Sequence, residues 1–275
     1  MSEAPRVIAV LGAGNMAGAL ARRWASVAPA WELRLTTGAS RPEWAVGLDN
    51  VTHAAVAEAP TANIAAVAGA DVVILGVKPH AIVSLAREIA DALAPGALVV
   101  SVAGGVRLAD IAPELPAAVA LVRTMPNTPV AVGHGVTAFA VSPGALQGTD
   151  ARVRELFAPT GAVEEMDEAH IDAFSAVVGS GPAYVYAVVE ALSAAAVEQG
   201  LTAEQAARMV PAMIGGAAAY LQASGREAGE LRDEVTSPGG STAAALAAFS
   251  AHGLDDALRA GVRAATARAK ELGRR

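Results

Sequence analysis

Apolar positions along the chain follow two regimes. Up to about residue 166, continuous or near-continuous apolar runs at 7–11, 71–77 and 97–102 alternate with segments whose apolar residues recur every three or four positions. An unbroken run bounded by turn residues reads as a strand covered on both faces, as parallel sheets require. Further strands are predicted over 32–36, 118–123, 135–141 and 161–166, and an alanine-rich helix from 62 to about 69. This alternation implies a doubly wound α/β domain over residues 1–166.

Beyond residue 166 the strand signal stops. Helical spacing runs over 171–178, 182–199, 202–224 and 254–272, so residues 167–275 are expected to form an all-helical domain. Thr202 with Gln205 has the pattern of a capping box, and Gly200 is placed to end the preceding helix. These helices carry small residues on more than one side, such as Ala191, Ala194, Ala195, Gly215 and Gly216. A helix apolar most of the way round must be buried. A domain this small has few layers of its own to cover such helices, so a homodimer through this domain is expected.

Composition narrows the function classes. Hydrophobic residues make up 53% of the 275 positions but aromatic residues only 4%, so the core is built from small aliphatic side chains. The net charge of −7 offers no basic stripe, and no nucleic-acid partner is expected. The absence of cysteine excludes disulfides, thiolate metal sites and cysteine nucleophiles. His53, His80, His134, His170 and His252 are scattered without metal-ligand spacing, so no metal is expected. The apolar stretch 174–197 is broken by Gly179, Gly181 and Pro182 and carries Glu190, which reads as a buried helix with no membrane partner. No basic segment followed by a long apolar one opens the chain, and a cytoplasmic protein is the expectation.

The candidate chemistry begins where the first strand ends, at Gly12-Ala13-Gly14-Asn15-Met16-Ala17-Gly18. A strand, a glycine turn and a helix in this order read as a dinucleotide site, the alternative being a tight strand-to-helix turn with no ligand. Gly12 permits the tight turn, Gly14 lets a pyrophosphate approach the backbone, and Ala17 lets the helix lie close to the strand. The helix N-terminus supplies free N–H groups and the positive dipole end. At the end of the second strand an NAD site usually carries a carboxylate for the ribose 2′-hydroxyl. Here Thr36-Thr37-Gly38-Ala39-Ser40-Arg41 stands instead. Ser40 and Arg41 suit a 2′-phosphate, which favours NADPH with NADH as a second choice. The competing possibility is that Arg41 is a solvated loop residue, with Glu43 near enough to take it. Lys78, in Val77-Lys78-Pro79 at the end of another strand, either touches the cofactor or caps the crevice.

A second loop interrupts the helical domain at Val235-Thr236-Ser237-Pro238-Gly239-Gly240-Ser241-Thr242, before a helix from about 243. Glycines and hydroxyls ahead of a helix make a concavity of backbone N–H groups suited to an anion. Thr242 is placed to set a hydroxyl beside the group being reduced. The alternative is an ordinary loop with Ser241 or Thr242 as N-cap.

The chain resembles the pyrroline-5-carboxylate reductase family over essentially its whole length. The matching pieces are the 12–16 turn, 77–79, Arg123-Thr124-Met125-Pro126-Asn127-Thr128-Pro129, Gly179-Ser180-Gly181-Pro182-Ala183-Tyr184 and Asp233 through Thr242. It departs from the family at Ser250, where an acid, amide or lysine is usual, and at Ala17, where many members carry glycine. The resemblance implies a Rossmann domain followed by a helical dimerisation domain, interlocked dimers often assembled into a decamer, and reduction of 1-pyrroline-5-carboxylate to L-proline by NAD(P)H. It also implies that the Ser237 to Gly240 backbone holds the substrate carboxylate and that Thr242 meets the ring nitrogen. Asn63 and the Val77-Lys78-Pro79 turn would lie against the cofactor, with Met125, Pro126, Asn127 and Thr128 near the nicotinamide ribose. A protonated imine is already electrophilic, so hydroxyls and amides suffice without a histidine or cysteine dyad. A β-hydroxyacid dehydrogenase would need a lysine on a helix of the second domain. Lys270, near the C-terminus, is the only lysine after Lys78.

Overall fold

The computed structural model describes residues 6–272. Its strands are β1 (Val7–Leu11), β2 (Glu32–Thr37), β3 (Val51–Ala55), β4 (Val72–Leu75), β5 (Leu98–Ser101), β6 (Ala120–Pro126), β7 (Gly135–Val141) and β8 (Gly161–Glu165). The helices of the sheet region are α1 (Asn15–Val27), α2 (Ala62–Val67), α3 (Ile82–Ile89), α4 (Leu108–Ile111), α5 (Thr149–Phe157) and α6 (Glu168–Phe174). After a π-helical turn at Ser175–Gly179 come α7 (Gly181–Glu198), α8 (Ala203–Ser224), α9 (Ala228–Glu234), α10 (Ser241–Ala251) and α11 (Leu254–Leu272).

The eight strands form one sheet in the order β3-β2-β1-β4-β5-β6-β7-β8. Every neighbouring pair is parallel except β6 and β7, which run antiparallel. β1 lies between β2 and β4, so the crossover direction changes at its carboxyl end, where ligands bind in open α/β sheets.

Strand alternation divides the core. Ile8, Val10, Val72, Ile74 and Val100 join Leu20, Trp24 and Phe157 on one face. Ala9, Leu11, Val73, Leu75 and Val99 join Ile82, Leu85 and Ile89 on the other. Both sets are fully buried, which is why the central strands are apolar at every position. On the first face Trp24 stacks edge-on against Phe157 with centroids 5.8 Å apart. Its indole N–H donates to the Leu156 carbonyl at 2.9 Å, fastening α1 to α5. Truncating such a side chain to alanine costs about 3–5 kcal/mol.

The chain divides into two compact units, one of residues up to Ser180 with those from Ala265 on, the other Gly181–Ala264. α6, which lies just beyond the boundary expected at 166/167, packs with the first unit. Ile171 of α6 is buried in the sheet's second core, and Arg123 of β6, 3% exposed, pairs with Glu168 at 3.2 Å and Asp172 at 2.8 Å. α6 is therefore held on the sheet by both packing and charge.

The second unit lacks a comparable core of its own. Ala206 is the buried side chain there, while Tyr186, Met209, Met213, Tyr220 and Leu258 are each more than half exposed. Apolar surface of this extent on a folded unit marks an interaction face. By length and composition the helical run Glu168–Glu198 would also suffice to cross a membrane.

The expected strands are all present, but some elements differ from expectation. β3, α4, α5 and α9 were not foreseen. Helix over 171–178 is replaced by the end of α6 and the π turn, in which the Ser180 amide reaches back to the Ser175 carbonyl at 2.8 Å. α10 begins at Ser241 rather than at 243.

Candidate active site

The glycine turn is fixed by contacts from two sides. Gly12 has φ +78°, and a Cβ there would stand 2.7 Å from Val77 Cγ1, so no other residue fits without rearrangement. The amides of Gly12 and Ala13 both donate to the Thr36 carbonyl, at 3.1 and 2.8 Å. The Gly12 amide also reaches Thr36 Oγ1 at 3.2 Å. The Thr36 hydroxyl in turn donates to Asn63 Oδ1 at 2.7 Å, and Asn63 Nδ2 donates to Glu88 at 3.1 Å. Asn63 is thus buried at the start of α2, with its amide engaged in orienting the turn.

Gly14 is the N-cap of α1 and no side chain caps the helix, so the first amides, at Asn15 and Met16, are left without a capping partner. The first turn carries no acidic residue to compete for them. The atom nearest to a Cβ on Gly14 would be the Gly12 carbonyl oxygen at 3.9 Å, which leaves the approach free for a phosphate. Ala17 lies against Gly76, where any Cβ would overlap the Ala17 methyl. Gly76 was missed in the sequence. A glycine within an otherwise apolar strand pattern signals such a close approach.

A cleft of about 540 Å³ opens beside this turn, lined by Gly14, Asn15, Arg22, Ser40, Trp44 and their neighbours. The β2 end has its own braces. Thr37 Oγ1 donates to the Ser40 carbonyl at 2.9 Å. That uses its one proton, so His53 Nε2, 2.8 Å away, is the donor in the second contact. Burial, and after it the Arg41 charge, push the His53 pKa below its ordinary value, against a smaller opposing pull from Glu58. Arg41 itself donates to the Ala45 carbonyl at 2.7 Å and does not line the cleft. No carboxylate lines it either. The cradle of free amides, the open glycine and the carboxylate-free cleft fit a phosphorylated dinucleotide.

Val77 is half-buried over the glycine turn, and Lys78 is exposed just before the 3-10 turn Pro79–Ala81, with no ion pair among the described residues. Met125 of β6 is half-buried and its methyl lies beside Gly179 in the π turn. Pro126 ends β6, opposite Thr137. Asn127 is buried as a brace: it donates to the Val178 carbonyl at 3.2 Å and accepts from the Val136 amide at 2.8 Å. Thr128 is exposed at the start of a 3-10 turn.

In the second unit the Ser237-Pro238-Gly239-Gly240 segment closes a β-turn, with the Gly240 amide donating to the Ser237 carbonyl at 3.0 Å. Pro238 and Gly239 are the central residues, and the φ of +72° at Gly239 is what a type II turn demands. Gly240 is the N-cap of α10 and no side chain caps this helix, so Ser241 and Thr242 are not caps. Among the described residues the Ser237, Ser241 and Thr242 hydroxyls have no hydrogen-bond partner, whereas Thr236 is spent on the Arg232 carbonyl at 2.6 Å. Val235, at the end of α9, is exposed. The turn presents free hydroxyls together with the positive end of an uncapped helix.

Comparison with known proteins places this architecture. A family model for pyrroline-5-carboxylate reductase dimerisation matches residues 168–272, and one for NADP oxidoreductase, coenzyme F420-dependent, matches residues 7–105. The pyrroline-5-carboxylate reductase of Pseudomonas aeruginosa is 36% identical, over 96% of each chain. The chain belongs to the pyrroline-5-carboxylate reductase family. Among solved structures, the pyrroline-5-carboxylate reductase of Coxiella burnetii is 31% identical with a TM-score of 0.84, covering 97% of this chain and 98% of that one. The Plasmodium falciparum pyrroline carboxylate reductase, solved with NADP bound, is 26% identical with a TM-score of 0.85, covering 98% of each chain. Membership makes this chain a nicotinamide-dependent oxidoreductase, and the match at 168–272 makes its helical region an oligomerisation domain.

Proposed function

We propose that the chain reduces 1-pyrroline-5-carboxylate to L-proline, the last step of proline biosynthesis, using NADPH and accepting NADH. The observation that carries this is a pair of anion cradles, each at an uncapped helix N-terminus, one shaped for a dinucleotide and one for a small carboxylate. The dinucleotide supplies a hydride when bound. The Asn15 and Met16 amides hold its pyrophosphate, on the turn that Gly12 and Gly14 shape and leave open to it. Asn63 orients the turn, and Val77, Lys78 and Pro79 wall the crevice. Met125, Pro126, Asn127 and Thr128 shape the edge next to the nicotinamide ribose.

The Val235 to Ser241 segment receives the substrate carboxylate on the amides of Gly239 and Ser241, with the Ser237 hydroxyl beside them, while the Gly240 amide closes the turn. Thr242 is the catalytic residue. Its uncommitted hydroxyl hydrogen-bonds the ring nitrogen and holds the protonated imine in line for attack at carbon. Hydride addition to that carbon breaks the C=N π bond, and its electron pair neutralises the nitrogen to give the secondary amine. No further proton donor is required, which suits a site of hydroxyls and amides.

The working species we propose is a homodimer, with dimers assembling further into a decamer, in the cytoplasm and without membrane or nucleic-acid contacts. A second copy of this chain would cover the apolar faces of α7, α8 and α11. The domains would divide near residue 166, the Rossmann part carrying the cofactor and the helical part the substrate. The decisive experiment follows NADPH consumption by the purified protein with the five-membered imine acid, its six-membered homologue and neither. Turnover dependent on the five-membered substrate is expected, and no turnover with either imine would end the assignment.

A further inference from the structure

We propose that Arg22, on the second turn of α1, is the cation that grips the ribose 2′-phosphate of NADPH, in the place that Arg41 occupies by sequence position alone. The proposal rests on the NADPH-dependent reading above. Among the described residues Arg22 is the one charged side chain lining the 540 Å³ cleft, where it stands with Ser40 and Trp44 beside the glycine turn. It is exposed and has no hydrogen bond or ion pair among the described residues. The other arginines near the cleft are committed. Arg23, its neighbour on α1, donates to the Pro159 carbonyl at 2.8 Å, and Arg41 to the Ala45 carbonyl at 2.7 Å.

Helix geometry adds direction. Side chains of an α-helix lean toward its N-terminus, so Arg22 leans over Gly18 toward the amides of the first turn. The Ser40 hydroxyl is a further free donor at the cleft, whereas Thr37 is used to brace the loop through the Ser40 carbonyl and His53. A guanidinium and a hydroxyl beside a space without carboxylates are a donor set for a phosphate monoester dianion. A 2′-hydroxyl, uncharged, would gain little from the arginine. Arg22 therefore sets cofactor choice while leaving hydride transfer to other residues.

Calorimetric titration of the full-length protein with NADPH, NADH and 2′,5′-ADP tests this, using Arg22→Gln, Arg22→Lys and Arg41→Gln. Arg22→Gln is expected to weaken NADPH and 2′,5′-ADP by about ten- to a hundredfold, the loss of one charge-assisted hydrogen-bond set, and to leave NADH within about twofold. Arg22→Lys, which keeps the charge but not the fork, should fall between wild type and Arg22→Gln. The proposal is overturned if Arg41→Gln costs more NADPH affinity than Arg22→Gln, or if Arg22→Gln weakens NADH as much as NADPH. A wild-type protein that binds neither nucleotide would bring down the reductase assignment with it. Normal NADPH binding by Arg22→Gln would remove Arg22 alone.

Discussion

The two anion cradles are built on the same device and held in opposite ways. Each pairs a positive-φ glycine with a helix whose N-terminal amides are left uncapped. At Gly12 the surroundings dictate the turn: Val77 packs against it from one side and Thr36 takes two of its amides on the other. At Gly239 nothing lies within 4 Å of where a Cβ would stand, and the turn is held by its own Ser237 to Gly240 hydrogen bond. The turn proposed to cradle a long dinucleotide is set into the core of a sheet, where its geometry is enforced from outside. The turn proposed to cradle a small acid is local, exposed and shaped by four consecutive residues.

The contrast can be broken most sharply at Gly12. Gly12→Ala adds a left-handed penalty of roughly 1–2 kcal/mol and an overlap of roughly 1–3 kcal/mol, so NADPH affinity should fall by about a hundredfold or more in a calorimetric titration. An unchanged affinity would show that the turn is not the nucleotide cradle. Thr242→Ala comes next: kcat/KM should drop by about ten- to a hundredfold, with Tm and NADPH affinity unmoved, because its hydroxyl has no partner among the described residues to lose. Kinetics equal to wild type would take Thr242 out of the reaction.

Gly239→Ala meets only the backbone penalty, roughly 1–2 kcal/mol, and should show as a rise of about tenfold in KM for the imine acid. A loss matching that of Gly12→Ala would erase the distinction between an enforced and a local turn. The smallest effect is expected at His53, which braces the β2 end of the first cradle through Thr37. Its folded pKa lies below the ordinary 6.5, so protonation favours the unfolded chain. Stability is undiminished above the unfolded value and declines as pH falls from there through the folded pKa. His53→Gln should flatten this acid limb in urea titrations, and an identical limb in the variant would assign it to other groups.

Much of the molecule was legible before any coordinates. Central strands such as β1 and β4 are buried on both faces and so announce themselves as unbroken apolar runs. β3 did not, because its Thr52, His53 and Ala54 are only partly covered at the sheet edge and leave no run to read. α9 is too rich in charge for an apolar stripe, and the start of α10 was displaced because Ser241 and Thr242 look like caps while Gly240 holds that position. In the candidate site, the glycine turn and the Ser-Pro-Gly-Gly bend were readable since turn chemistry is local. Asn63 and Asn127 were recognised by resemblance, but their bracing of neighbouring backbone was not foreseen.

The sequence by itself determined the alternation of the central strands with helices, the two glycine-bearing turns and the surplus of apolar helix surface, because each follows from periodicity or from the conformational needs of adjacent residues. Only the tertiary structure decided that α6 belongs with the sheet, that Gly76 must lack a side chain beneath Ala17, and that Arg22 rather than Arg41 faces the cleft. Those outcomes depend on which groups distant in the chain are brought within a few ångströms. Whether an arginine is free for a ligand or spent on a carbonyl is a property of its neighbours in space, which no spacing along the chain contains.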